Sequence, residues 1–174
     1  MTTRNAREDA MDCTHIMIAV DGSENSMRAV DYTAAIIGCR GGFTVQVVHI
    51  ERLPDRDLFP DEAAWKENCN AYAADMRRFL ADSRQKLLDA GMGSDDVTEL
   101  YVPSCQRPSP DQEALRCSHG ATISQEILRC MEEGGYGTIV VGRRGLSKAE
   151  EFIFGSVSSK IVHHAKGCTI WVVS

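Results

Sequence analysis

Five short apolar runs alternate with four longer stretches whose apolar residues recur every three or four positions. The runs cover residues 15–20, 44–50, 97–102, 138–141 and 169–173, and they are rich in Val and Ile. Short β-branched runs read as strands, and three-to-four spacing reads as helix. The first helix starts at Ser23, places Met27, Val30, Ala34 and Ile37 on one face, and stops at Gly38. Asp61 caps the longest, whose stripe of Trp65, Cys69, Tyr72, Met76, Phe79 or Leu80, Ser83 and Leu87 reads as core-facing. Thr122 and Gln125 have capping-box spacing at the head of the helix over 121–133, and the last helix covers 157–165. The β-α-β-α-β-α-β-α-β string predicts an α/β fold: one doubly wound, five-stranded parallel sheet with helices on both faces. Strands one, four and five are apolar enough for burial on both sides; the third is more polar and belongs nearer an edge.

Composition narrows the class. The chain has 174 residues, 43% of them hydrophobic, enough for one sizeable core. No apolar run approaches the ~18 residues that span a membrane. Residues 1–13 are polar, lack the apolar centre of a signal peptide, and read as a mobile tail ahead of a domain over 14–174. A cytoplasmic location is the expectation. The net charge of −6 argues against a nucleic-acid binder, which needs a basic face. Seven cysteines, with no C-x-x-C pair, argue against a secreted disulfide framework and a zinc ribbon. Most are expected to be small buried hydrophobes in a reducing compartment. Residues 103–118, with three prolines, read as an inserted loop. Its Cys105 and Cys117, with His119, match no metal spacing, and a plain loop is expected there rather than a redox or metal site.

The chemistry gathers where strands end. Gly142-Arg143-Arg144-Gly145, nine residues, then Gly155-Ser156 forms a glycine-punctuated loop between the fourth strand and the last helix. Backbone N–H groups and a helix N-terminus brought together this way bind phosphate. Gly142 and Gly145 allow close phosphate approach or simply a tight turn. Arg143 and Arg144 grip phosphates or are solvated. Ser156 caps the helix or hydrogen-bonds a phosphate oxygen, with Ser158 a weaker candidate. Asp21 ends the first strand; it accepts from an amino group or ribose hydroxyl, helps hold hydrated Mg²⁺, or complements the helix dipole. Ligands in open α/β sheets bind beyond the carboxyl ends of the strands where strand order reverses. A Walker loop, a G-x-G-x-x-G fingerprint and a G-x-S-x-G elbow are absent from the sequence. His163 and His164 are adjacent on the last helix, face different directions, and read as surface or interface residues.

Residues 16–26 (I-M-I-A-V-D-G-S-E-N-S), the Val47-Val48-His49-Ile50 strand end, and the G-x-x-G-x₉-G-S segment running into V-S-S-K-I-V-H-H-A resemble the universal stress protein family. The resemblance runs from about residue 14 to the end of the chain. It implies strand order 3-2-1-4-5 and, because the glycine pattern is complete, the ATP-binding branch. It implies that Ala19, Val20 and Asp21 line an adenosine pocket, with Ile50 meeting adenine through its backbone. Gly142, Arg143, Gly145, Gly155, Ser156, Val157 and Ser158 then surround ribose and phosphates, and Arg144 is a further candidate from its charge. The ligand is ATP, ADP or AMP, with Mg held through phosphates near Asp21 rather than by a protein metal site. It also implies a homodimer through residues 169–173. The chain departs from the family in Cys168-Thr169, where many members have proline, in the doubly cationic Arg143-Arg144, and in the 103–118 insertion.

Three functions compete at this level. The leading one is a stress-response regulator with nucleotide as ligand and no dedicated catalytic residue. The others are slow ATP hydrolysis or autophosphorylation, with Asp21 and Lys148 as the plausible helpers, and a nucleotide-free interaction module.

Overall fold

The structure, a computed structural model, describes residues 12–107, 117–118, 122–143 and 156–174. Strands β1 (His15–Ala19), β2 (Thr44–Ile50), β3 (Val97–Val102), β4 (Thr138–Gly142) and β5 (Thr169–Val173) form one all-parallel sheet in the order β3-β2-β1-β4-β5. Helices α1 (Glu24–Ile37) and α2 (Glu62–Asp89) cover one face, and α3 (Ile123–Gly134) and α4 (Ser156–His164) the other. Strand alternation sorts the core. Ile16, Ile18, Val45, Val47 and Val140 pack toward α1 and α2; Met17, Val48, Ile50, Ile139 and Val141 pack toward α3 and α4. The predicted α/β architecture and strand order are those of the molecule.

Local chemistry accounts for the helix ends. The Ser26 amide donates to Ser23 Oγ at 3.2 Å, and the Ala64 amide to Asp61 Oδ1 at 2.8 Å, so each helix starts on a side-chain acceptor. At α3 the capping box closes: the Gln125 amide donates to Thr122 Oγ1 while the Thr122 amide donates to Gln125 Oε1. Gly135, at φ 67°, takes the left-handed conformation that ends this helix. Thr122→Ala is expected to cost about 1 kcal/mol, read as a lower denaturant midpoint at unchanged slope.

The core-facing stripe of α2 is observed: Trp65, Cys69, Leu80, Ser83 and Leu87 are buried, and Tyr72, Met76 and Phe79 partly so. Strand β3 lies at one edge, as its polarity predicted. Strand β5 forms the opposite edge, as the strand order implied, and all five of its residues are half-buried. Both faces are covered, since Trp171 and Val173 meet the first core cluster and Ile170 and Val172 the second. Its outer edge is what stays open. A 3-10 turn, Arg56–Leu58, interrupts the loop before α2.

Residues 1–11 of the expected tail lie outside the described residues. Asp12 and Cys13 are tied to the sheet: the His15 amide donates to the Asp12 carbonyl at 3.1 Å, and Thr138 Oγ1 to the Cys13 carbonyl at 3.0 Å.

The loop after β3 corrects the reading of its cysteines. Cys105 and Cys117 are joined by a disulfide, their Cα atoms 5.2 Å apart, and a bridge between Ser104 and Ser118 holds them side by side. Sequence spacing does not reveal pairing; a backbone bridge that aligns the two residues does. Among the other cysteines, Cys69 and Cys130 are buried as expected, while Cys13 and Cys39 are exposed.

Candidate functional site

The chain winds one way from β1 through β2 to β3, and the other way through β4 to β5. The order therefore reverses between β1 and β4, and the crevice opens at their carboxyl ends. A cavity of about 260 Å³ lies there. Ala19, Val20 and Asp21 reach it from the end of β1, Val48, His49 and Ile50 from β2, Val141 and Gly142 from β4, and Ser156, Val157 and Ser158 from the start of α4. A second cavity of about 350 Å³ adjoins it, sharing Ile50, Arg52, Ile123, Ser156 and Val157.

The residues singled out in the sequence thus divide. Ala19, Val20, Asp21, Ile50, Gly142, Ser156, Val157 and Ser158 meet on one cavity. Arg143 follows Gly142 but is not among its lining residues, and the Arg143 amide donates to the Val173 carbonyl at 2.6 Å. Arg144, Gly145, Gly155 and Lys148 lie outside the described residues. Gly142 carries a second constraint: a Cβ there would collide with the Asn25 carbonyl and the Ser26 amide nitrogen. The glycine lets β4 pass against the first turn of α1, whatever occupies the crevice. His163 and His164 are exposed, and His163 Nδ1 lies 2.7 Å from the Ser159 carbonyl.

Sequence reasoning missed other lining residues, notably Ser23, Ser26, His49, Arg52, Tyr72, Ile123 and Ile127. His49 was in view as part of a strand end. Ser23 and Ser26 were legible only as a helix start. Tyr72 sits on the core stripe of α2, at the point where that stripe passes the crevice. Arg52 carries no pattern at all; only β2 pointing its carboxyl end at the crevice places it there.

The electrostatics of the cavity are set by burial and backbone. Burial pushes the Asp21 carboxyl up, but hydrogen bonds from Ser23 and Ser26 outweigh it and hold it below the usual carboxylate range. The Ser23 amide donates to Asp21 Oδ1 at 3.0 Å. Asp21 is therefore an anionic acceptor at neutral pH. Burial lowers the pKa of His49, against opposing help from the Val20 carbonyl and the carboxylates of Glu51 and Asp21. His49 Nδ1 lies 2.9 Å from the Val20 carbonyl, which only an N–H satisfies. The ring packs between Tyr72 and Tyr101, and its Nε2 is buried with no hydrogen-bond partner among the described residues.

This neutral histidine has a consequence for acid stability. As pH falls through about 6.5, the unfolded chain protonates at this position while the folded chain does not. Stability should therefore fall below pH ~6.5, by up to about 1.4 kcal/mol per pH unit, until the lowered folded pKa is passed. Denaturant unfolding at pH 7.5, 6.5 and 5.5 measures this, and His49→Gln should flatten the slope.

Behind the cavity wall lies a buried polar cluster. Glu51, directly after β2, accepts from Tyr101 Oη at 2.7 Å, the Ser104 amide at 2.8 Å and Arg107 Nη1 at 3.1 Å. Arg107 Nη2 also donates to Asn70 Oδ1 at 2.8 Å. Burial and the bond to Glu51 push the Tyr101 phenol well above its usual range.

The donor set fits a nucleoside phosphate. Val48, Ile50, Ile123, Ile127 and Val141 give an apolar wall for a flat ring; Asp21 accepts from amino or hydroxyl donors; the first turn of α4, with the exposed Ser156, offers N–H groups to an anion. Among the described residues, no cluster of His, Cys, Asp and Glu is placed to hold a metal, and no helix is long and apolar enough to cross a membrane.

The fold is shared with known proteins. The universal stress protein UspA from Lactobacillus plantarum is similar in structure, at a TM-score of 0.65 and 16% identity, covering 93% of this chain and 98% of that one. A universal stress protein from Arabidopsis thaliana, solved with AMP bound, matches at a TM-score of 0.59 and 17% identity over 91% of this chain and 90% of that one. A universal stress protein in complex with cAMP matches at 0.57 and 19%, over 91% and 94%. Among curated proteins no sequence matches. The sequence model of the Universal stress protein family matches residues 13–174, and the chain belongs to that family.

Proposed function

We propose that this chain is an adenine-nucleotide-binding regulator of the ATP-binding branch of its family, with residues 14–174 as the binding domain. The observation that carries the reading is the crevice at the β1–β4 reversal, where Asp21, Ile50, Gly142 and the first turn of α4 meet on one cavity. Adenine lies against Ile50 and the apolar wall, ribose near Asp21, and phosphates at Gly142, Ser156, Val157 and Ser158. In this reading Arg143, Arg144, Gly145 and Gly155 also contact the ribose and phosphates. Mg²⁺ reaches the site through phosphate oxygens, with Asp21 nearby. AMP in the Arabidopsis relative and cAMP in another support an adenine ligand. ATP, ADP and AMP are the forms to compare. The nucleotide acts as ligand, shifting the population of states that bind it differently.

The output surface in this reading is a homodimer through β5. An apolar edge strand with its edge open is a template for pairing, and pairing with a second copy covers it. A cytoplasmic location follows from the same reading.

The test is mass analysis of nucleotide released by denaturing the purified protein, followed by calorimetric titration of the stripped protein with ATP, ADP and AMP, with and without Mg²⁺. Stoichiometric release or saturable binding upholds the reading. No release and no binding would overturn it. For the dimer, sedimentation should show a two-fold mass that Val172→Glu reduces to a monomer; a wild type that is monomeric at every concentration sinks that part.

A further inference from the structure

We propose that the Cys105–Cys117 disulfide is a redox control on the cavity, and that its reduction by a dithiol loosens one wall and weakens nucleotide binding. The proposal rests on the nucleotide reading above.

The bond sits where it can act. It joins the segment leaving β3 to the segment entering α3, and both cysteines are half-buried rather than sealed in the core. The Cys105 amide donates to the Ser118 carbonyl at 2.9 Å, and the Ser118 amide to the Pro103 carbonyl at 2.8 Å. From this clamp one line of contacts runs through Glu51. The Ser104 amide and Arg107 both bond its carboxylate, and Glu51 lies between Ile50 and Arg52, which line the cavity. A second line runs through α3. Arg129 Nη2 donates to the Cys117 carbonyl at 3.5 Å, and Ile123, in the first turn of that helix, lines the cavity.

The disulfide lies outside the core. It spans 12 positions of one loop and belongs to neither core cluster. What it does is hold Ser104 and Ser118, which line the adjoining cavity, side by side. With the bond open, among the described residues the bonds of Ser104 and Arg107 to Glu51 and of Arg129 to the Cys117 carbonyl are what still link residues 104–107 and 117 to Glu51 and α3. A ligand that requires the closed wall must then order it on binding, and its apparent affinity falls by the fraction of chains with the wall in place. Chains in reducing compartments keep disulfides mainly where the bond is made and broken as a signal.

The chemistry balances with a dithiol as reductant. One thiolate attacks one of the two sulfurs, giving a mixed disulfide, and the other cysteine leaves as a thiolate that takes up a proton. The second thiol of the reductant then displaces the first cysteine, so two electrons pass from the dithiol to the protein.

The experiment uses the full chain, oxidised with glutathione disulfide and then reduced with dithiothreitol, with peptide mapping to assign the state of each cysteine. ATP with Mg²⁺ is titrated calorimetrically into both forms, and amide hydrogen exchange is followed over residues 50–53 and 122–127. Reduction should weaken binding at least fivefold and speed exchange in both segments. Cys105→Ser/Cys117→Ser should match the reduced wild type and ignore dithiothreitol. Equal affinity and equal exchange in the two forms overturn the proposal, as does failure of the pair to oxidise. If neither form binds adenine nucleotide, the nucleotide reading falls and the affinity half of this proposal with it. In that case redox-dependent exchange still upholds control of the wall, and unchanged exchange overturns it.

Discussion

Arg107→Ala is expected to lower folding stability by about 3–5 kcal/mol, a large part of the ~5–15 kcal/mol that holds a domain together. The side chain of Glu51 is fully buried and that of Arg107 is 6% exposed, so both charges are largely withdrawn from water. With Arg107 gone, Glu51 keeps its bonds from Tyr101 and the Ser104 amide but loses the only cation bonded to it among the described residues. An anion left in that place costs far more than the pair itself contributes, because desolvation is no longer offset. Asn70 loses its donor as well.

A double variant separates two explanations. If the cost is the stranded charge, Glu51→Gln/Arg107→Met should recover most of the stability lost in Arg107→Ala, since no buried charge remains and volume is kept. If the cost is lost packing at the start of the 103–118 segment, the double variant should be as unstable as the single one. Denaturant midpoints at constant slope decide between them. A loss below about 1 kcal/mol for Arg107→Ala would mean that the pair is solvated in solution.

Much of this was readable from residue types. Period and caps gave the helices: Ser23, Asp61 and Thr122 each sit where a helix starts, because a side-chain oxygen there satisfies amides that have no partner within the helix. The order of the strands came from the family resemblance, since nothing in the spacing of 15–20 and 138–141 says that they are neighbours. The apolar composition of β5 matches its two covered faces, and composition alone does not tell an edge strand from a central one. What lay out of reach were long-range pairings. Glu51 and Arg107, 56 positions apart, look like two ordinary surface charges until β2 and β3 align them. Cys105 and Cys117 looked like loop residues until a bridge set them side by side. In the cavity, residues that end strands were legible, because the fold class says where strands point. Arg52 and Tyr72 were not, since their place depends on how a loop and a long helix pass the crevice.

Asp21→Ala is expected to weaken adenine-nucleotide binding roughly 10- to 100-fold, the worth of one hydrogen bond to a charged group. The carboxylate lines the cavity and stays ionised, so it can accept from the ligand but repels bare phosphate. That repulsion makes the ligand series informative. If Asp21 accepts from ribose or the adenine amino group, adenosine and Mg-ATP should lose affinity by the same factor. If it acts through Mg²⁺, adenosine should be unaffected and Mg-ATP should carry the whole loss, while ATP without Mg²⁺ should bind better than to the wild type. Asp21→Asn keeps an acceptor for the Ser23 amide and so controls for the turn at the head of α1. Thermal unfolding of both variants near the wild-type midpoint would show that the fold is intact. Unchanged affinity for every ligand in Asp21→Ala would remove this residue from the site and shift the weight of recognition to the backbone of Ile50 and the first turn of α4.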